Sequence, residues 1–252
     1  MAARFAQHFL INTHAAQRIV DSMSLVEGDH VLEIGPGKGA LTALMMKKPV
    51  KLTAIEIDDP LITVLTRKFG ANPNFNLIHS DVLDVDFDKL HATKIIGNLP
   101  YNLTSMIFRK VSNWTGWTEA YFMIQKEVGD RLAASVGTPE YSALTVGMNL
   151  TSRIERVFDL SETSFKPPPR VKSTVVRLIR REKPLTDDVE GTQKVIQAAF
   201  QQRRKTILNS LSHGLGLTKE KVGDVLKKLN INEQARAEKV TIDQFVALSK
   251  AL

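Results

Sequence analysis

The chain has 252 residues, 43% hydrophobic and 24% charged, which suits one large or two modest soluble domains. It contains no cysteine, excluding disulfides, cysteine nucleophiles, iron–sulfur clusters and cysteine-ligated zinc, and fitting a reducing compartment. With 34 basic against 27 acidic residues the net charge is +7 and the pI about 9.5, a mild excess compatible with a polyanionic partner.

The N-terminal stretch Met1 to Leu10 lacks the apolar region of a secretory signal, and no apolar run approaches the roughly 20 residues that span a bilayer. A cytoplasmic location with no membrane partner is expected. Short β-branched runs then alternate with helical patterns, the mark of βα units around a parallel sheet. Val31 to Ile34 is predicted as a buried strand running into the glycine-rich Gly35-Pro36-Gly37-Lys38-Gly39, with a helix over Leu41 to Met46. Further strands are predicted over Leu52 to Ile57, Asn76 to Ser80, Lys94 to Gly97 and Tyr121 to Ile124, with helices over Leu61 to Phe69 and near Glu127 to Ala134. Val157-Phe158 and Ser173 to Leu178 add strand material on either side of Phe165-Lys166-Pro167-Pro168-Pro169, a stiff loop unfit for helix or central strand. Beyond Glu182-Lys183-Pro184 the pattern is helical only, over Val195 to Phe200, Ile207 to Leu211, Val222 to Leu229 and Ile242 to Leu252. The expectation is an α/β domain with a mainly parallel sheet over residues 1–181 and a small helical domain over 182–252.

Basic residues gather in two places. Residues 163–181 carry Lys166, Arg170, Lys172, Arg177, Arg180 and Arg181 with no acid between them, and Arg203-Arg204-Lys205 follows. Each cluster alone reads as a solvated face. Two in one half of the chain make Lys166, Arg170, Lys172, Arg203, Arg204 and Lys205 candidate contacts for a polyanion, which the resemblance set out below makes RNA.

The glycine loop is a candidate ligand loop, because glycine permits positive φ and lets backbone N–H groups approach a ligand. Its ligand is open: Gly35, Gly37 and Ala40 also satisfy the dinucleotide pattern G-x-G-x-x-A, whereas the nucleoside-triphosphate loop G-x-x-x-x-G-K-[ST] is absent. Glu56, at the end of the second strand about 20 residues on, is placed to accept ribose hydroxyls. Asp81, after the third, can accept from an adenine amino group. In a doubly wound sheet these strand ends share one edge, so the set points to one adenosine-bearing cofactor. His8 and His14 have no ligand partners at metal spacing, and no metal is expected. Trp114 and Trp117 are expected as core anchors or surface features rather than a stacking platform.

After the fourth strand comes Asn98-Leu99-Pro100-Tyr101. An exocyclic amine on a base is a poor nucleophile, since its lone pair is delocalised into the ring. The Asn98 side-chain oxygen and the Leu99 carbonyl can accept its two N–H bonds, turning the nitrogen towards tetrahedral geometry and aiming its lone pair at a sulfonium methyl. Pro100 fixes the turn and Tyr101 can stack on the base.

Together these motifs resemble the S-adenosylmethionine-dependent rRNA adenine N6-dimethyltransferases, within them the bacterial small-subunit (KsgA, or RsmA) family. The likeness covers nearly the whole chain: Arg4 to Leu10 resembles the family's cofactor-covering segment, Phe165 to Val171 its second target-base loop, and Gln202 to Ile207 with Arg236-Ala237-Glu238 its helical C-terminal domain. The resemblance implies a Rossmann-like class I methyltransferase domain acting, as a monomer, on two adjacent adenosines near the 3′ end of 16S rRNA, in the small ribosomal subunit or its precursor. It also implies roles for residues: His8 and Leu10 close over S-adenosylmethionine, Gly35 lines its methionine end with Gly37 also a cofactor contact, Glu56 holds its ribose and Asp81 its adenine. Asn98 lies beside cofactor and target amine, and Phe165 faces Tyr101 across a flipped base. Gln125-Lys126-Glu127-Val128 is assigned a supporting role. Two positions depart from the family: Ala6 replaces a usual glycine, and Lys172 a common acid. The rivals are a macrolide-resistance type large-subunit rRNA methyltransferase, a non-catalytic ribosome-assembly or transcription factor on the same fold, and an NAD-dependent oxidoreductase. The first fits the second half of the chain less well; an intact Asn98 to Tyr101 and the absence of a hydride-relay residue oppose the other two.

Overall fold

The computed structural model describes residues 8–252; Ala6 and the rest of Arg4 to Gln7 lie outside the described residues. In chain order the elements are β1 (Phe9–Leu10), α1 (Thr13–Ser22), β2 (His30–Ile34), α2 (Thr42–Met45), β3 (Lys51–Glu56), α3 (Asp59–Phe69), β4 (Phe75–His79), β5 (Lys94–Asn98), α4 (Thr104–Asn113) and β6 (Glu119–Gln125). Then come α5 (Lys126–Leu132), α6 (Ala143–Thr151), β7 (Ser152–Leu160), β8 (Phe165–Lys166), β9 (Ser173–Arg180), α7 (Val189–Phe200), α8 (Ile207–Leu215), α9 (Lys219–Lys228) and α10 (Ile242–Ala251).

A seven-stranded sheet of order β4-β3-β2-β5-β6-β9-β7 organises the first unit. Strands β2 to β6 pair in parallel and β9 runs antiparallel to β6, giving the expected α/β class with a mainly parallel sheet. The chain steps outward from β2 to β3 and β4, then returns to place β5 on the other side of β2. That reversal opens a crevice at the carboxyl ends of the strands, where ligands of such sheets bind. In register, Ile34 lies opposite Ile55 and Gly97, and Glu56 opposite His79, so the loops after β2, β3, β4 and β5 leave from one edge.

Strands β2 and β3 are buried almost throughout, as strands covered on both faces must be. Three helices lie outside the segments predicted as helical, α1, α4 and α6, and α1 and α4 each turn one apolar face at helical spacing into the core. Helix α1 buries Ala15, Ala16, Ile19 and Val20 and is capped by Asn12, whose Oδ1 accepts from the Ala15 amide. Helix α4 buries Ile107, Phe108 and Val111. Trp114 and Trp117 are core anchors, 5% and 1% exposed, and the Trp117 indole donates to the Val111 carbonyl.

The chain divides into two compact units: residues up to Gly129 with Glu155–Arg180, and Asp130–Ile154 with Arg181–Leu252. The helical unit therefore draws on an earlier segment besides the expected C-terminal stretch. Tyr141, Val146 and Leu150 share an apolar cluster with Val195, Ile196, Leu211 and Phe245, a long-range packing that local periodicity does not reveal. Each of α7 to α10 starts at a side-chain cap, Asp188, Thr206, Thr218 and Thr241 respectively. Among the described residues no helix is long and apolar enough to cross a membrane.

Two acids, Glu33 and Glu56, are buried in the first unit, and Glu33 is the deeper. Glu33 on β2 is 1% exposed and accepts a hydrogen bond of 2.7 Å from the Thr42 hydroxyl. Burial pushes its pKa from 4.5 up to about 7; the Thr42 bond opposes the rise, and the nearby Glu56 charge adds to it. Between those values the folded chain holds a proton that the unfolded chain releases, so this group's contribution to stability falls as pH rises through about 7. Glu33→Gln, neutral throughout and still able to accept from Thr42, is expected to remove that decline. Urea unfolding between about pH 5 and pH 8 measures it, and equal pH slopes for the two proteins would contradict the assignment.

Candidate active site

A cavity of about 480 Å³ lies at the sheet's carboxyl edge. Its lining includes His8, Leu10, Gly35, Gly37, Glu56, Asp81 and the whole run from Asn98 to Tyr101, so the structure gathers the sequence-predicted cofactor residues and the tetrapeptide in one place.

The glycine loop takes the shape its composition allows. Gly35, Gly37 and Gly39 have φ of +64°, +57° and +83°, in the left-handed region that side chains disfavour. At Gly37 a Cβ would also stand 3.0 Å from the Phe9 ring. Glu56 stitches this loop to the end of β3. Its Oε2 accepts from the Gly37 amide at 3.1 Å, and its Oε1 accepts from the Ile57 and Asp58 amides at 2.9 and 3.1 Å. An ionised carboxylate has about four acceptor positions, so capacity remains for a ligand hydroxyl. Asp81 uses Oδ1 to accept from the Leu83 amide at 2.9 Å, and Oδ2 has no hydrogen-bond partner among the described residues.

Sequence reasoning missed the apolar walls. Ile57, 40% exposed, and Val82 line the cavity immediately after Glu56 and Asp81. The signal was available, since a residue following a strand-end acid shares its loop. Glu33, Lys38, Leu103 and Met123 also line the cavity without having been singled out. Apolar walls beside two carboxylates suit a flat heterocycle on a hydroxylated sugar, so the donor set fits the adenosine part of S-adenosylmethionine. Among the described residues no group of three or more His, Cys, Asp or Glu is placed to hold a metal ion.

At the mouth, the Leu99 amide donates to the Met123 carbonyl at 3.1 Å, and the Thr104 hydroxyl donates to the Pro100 carbonyl at 3.0 Å, which fixes the turn. Asn98 Nδ2 donates to the His8 carbonyl at 2.7 Å, while its Oδ1 has no hydrogen-bond partner among the described residues. Tyr101 shares a 3.2 Å hydrogen bond with the Ser173 hydroxyl, and its ring centre is 5.7 Å from that of His8.

Phe165 is placed differently from the other aromatic. It is 2% exposed and packs in the core with Leu10, Tyr121, Met123 and Val175, outside the cavity lining. Strand β8 that carries it pairs with β1, Phe165 opposite Leu10 and Lys166 opposite Phe9. The basic cluster around it splits in two. Lys166, Arg170 and Lys172 are exposed. Arg177 is tied to Glu119 and Glu155, and Arg180 lies 5.4 Å over the Trp117 ring, so these two are occupied within the unit. Lys126 lies beside the same loop, its amide donating to the Lys172 carbonyl at 2.9 Å, but Gln125 to Val128 do not line the cavity. In the helical unit, Arg203, Arg204 and Lys205 are exposed on the turn between α7 and α8.

Comparison with known proteins agrees with this geometry. A family model described as ribosomal RNA adenine dimethylase matches residues 1–252. A ribosomal RNA small subunit methyltransferase A from Geobacter metallireducens is 38% identical, over 98% of this chain and 93% of that protein. Its counterpart from Malacoplasma penetrans is 35% identical, over 97% and 89%. Among solved structures, a dimethyladenosine transferase from Plasmodium falciparum superposes with a TM-score of 0.81 at 27% identity, covering 96% of each chain. The 23S rRNA methyltransferase ErmE superposes with a TM-score of 0.71 at 26% identity, covering 97% of this chain and 99% of that one. Matched from end to end by the family model and over nearly its whole length by curated relatives, the chain belongs to the ribosomal RNA adenine dimethylase family.

Proposed function

We propose that this protein transfers methyl groups from S-adenosylmethionine to N6 of two adjacent adenosines near the 3′ end of 16S rRNA, two to each, in the small ribosomal subunit or its precursor, within the cytoplasm and as a monomer. The observation that carries this reading is the convergence of Glu56, Asp81 and Asn98 to Tyr101 on one cavity. The small-subunit target follows the curated relatives, which carry that name at 35–38% identity, over the large-subunit rival. The tetrapeptide's place in the cavity weighs against a non-catalytic factor.

In this mechanism Glu56 takes the cofactor's ribose, Asp81 its adenine amino group, and Ile57 and Val82 the faces of its ring. S-adenosylmethionine supplies an electrophilic methyl group on a sulfonium. Asn98 Oδ1 and the Leu99 carbonyl accept the target amine's N–H bonds, two before the first transfer and the one remaining before the second, and concentrate its lone pair on nitrogen. No strong base is needed beforehand, because the amine proton becomes acidic once the new N–C bond has formed. Tyr101 stacks on the base. For Phe165 to stack on the opposite face its ring must leave the core, at a cost of about 1.5–3 kcal/mol that stacking of similar size offsets. The first unit does the chemistry, and Lys166, Arg170, Lys172 and the Arg203 to Lys205 turn contact the RNA backbone.

Glu56→Ala is expected to weaken binding of S-adenosylhomocysteine by about 1–3 kcal/mol in calorimetry, and undiminished binding would remove Glu56 from the ribose site. Asn98→Ala is expected to abolish turnover, with kcat falling far more than KM changes, because its contact strengthens as the amine becomes tetrahedral. Steady-state kinetics near wild-type would refute the amine-polarising role. Charge reversal at Arg203 and Arg204 should weaken binding to the small subunit and lower the log–log salt slope by about 0.7–0.9 per lost phosphate contact, with cofactor affinity unchanged. An unaltered slope with normal methylation would make that turn a solvated face.

A further inference from the structure

We propose that His8 is a positioning residue for methyl transfer, joining the cofactor cover, the amine-polarising tetrapeptide and the target-base loop; this rests on the reading of Asn98 given above. A side-chain amide can rotate end for end, and only one arrangement is useful here. With Nδ2 towards the target amine, donor would face donor. The His8 carbonyl can only accept, and it lies 2.7 Å from Asn98 Nδ2. The reversed amide would set two acceptors against each other there, so this carbonyl selects the arrangement that leaves Oδ1 for the substrate.

The His8 ring fixes where that carbonyl stands. Nδ1 donates to the Pro167 carbonyl at 2.8 Å, a bond available to both the Nδ1-protonated neutral ring and the charged one. The same ring lies 5.7 Å from Tyr101 at a 30° tilt. The following residues continue the tie: Phe9 and Leu10 pair with Lys166 and Phe165, and the Ile11 and Asn12 amides both donate to the Ser164 carbonyl, at 2.8 and 3.2 Å. The placement of residues 8–12 therefore both sets the Asn98 amide and holds the base loop. A cover that served the cofactor alone would need neither the Pro167 bond nor the Asn98 bond.

The test compares wild type with His8→Ala and His8→Asn, each first checked for an unchanged thermal midpoint. The asparagine amide nitrogen stands as many bonds from Cα as Nδ1 does, so it can restore the Pro167 bond without the ring. At saturating cofactor, His8→Ala should lower kcat roughly 10- to 100-fold, the scale of a misplaced reacting group, with a smaller change in S-adenosylhomocysteine affinity. His8→Asn should recover most of that loss. Hydrogen exchange supplies a readout free of turnover: S-adenosylhomocysteine should slow exchange at the Lys166 amide, opposite Phe9, in wild type and not in His8→Ala. Normal kcat in His8→Ala, a loss confined to cofactor affinity, equal damage in both variants, or exchange protection that survives His8→Ala would each overturn the proposal. If wild type itself methylated no adenosine, the proposed reaction would fail, and the exchange result would still decide whether His8 links the two segments.

Discussion

The site depends on the Glu56 carboxylate bound to the Gly37 amide. Together with the Gly35 amide, which donates to the Ile55 carbonyl at 3.0 Å, that bond ties the loop after β2 to the end of β3. The Ile57 and Asp58 amides saturate the other oxygen, so the carboxylate cannot swing away. A buried carboxylate held by three backbone donors is costly to disturb, because its removal leaves those donors unpaired. Every later feature of the cavity is arranged around this fixed point: Ile57 beside it, Asp81 one strand further out, and Asn98 across the chain reversal at β5.

Part of this was legible in the amino-acid sequence because it is local. A buried run ending in Gly35-Pro36-Gly37-Lys38-Gly39 allows few geometries, and the spacing to Glu56 is that of one βα unit. Asn98 to Tyr101 was legible for its chemistry: an amide, a rigid turn and a ring have little reason to follow a buried strand together. The strands β2 to β6 fall where short β-branched apolar runs place them.

What escaped is non-local. Residues 130–154 join the helical unit through the packing of Tyr141, Val146 and Leu150, which no local period announces. Arg177 reads as part of a basic run, yet Glu119 and Glu155 neutralise it across the sheet. Phe165 reads as a stacking ring, and the fold stores it in the core against Leu10. Glu33 looks like any strand acid, and its raised pKa emerges only from complete burial near Glu56. In each case the residue type was visible and its partner was not.

The central claim is that the Asn98 amide and the Leu99 carbonyl hold and polarise a base amine of small-subunit rRNA for methyl transfer from S-adenosylmethionine. Mass analysis of nucleosides from unmethylated small subunits, after incubation with the protein and isotope-labelled S-adenosylmethionine, tests it most directly. The account predicts labelled N6,N6-dimethyladenosine at two adjacent positions near the 3′ end of 16S rRNA with wild type, and none with Asn98→Ala. Label on a different base, on large-subunit rRNA alone, or undiminished with Asn98→Ala would contradict it.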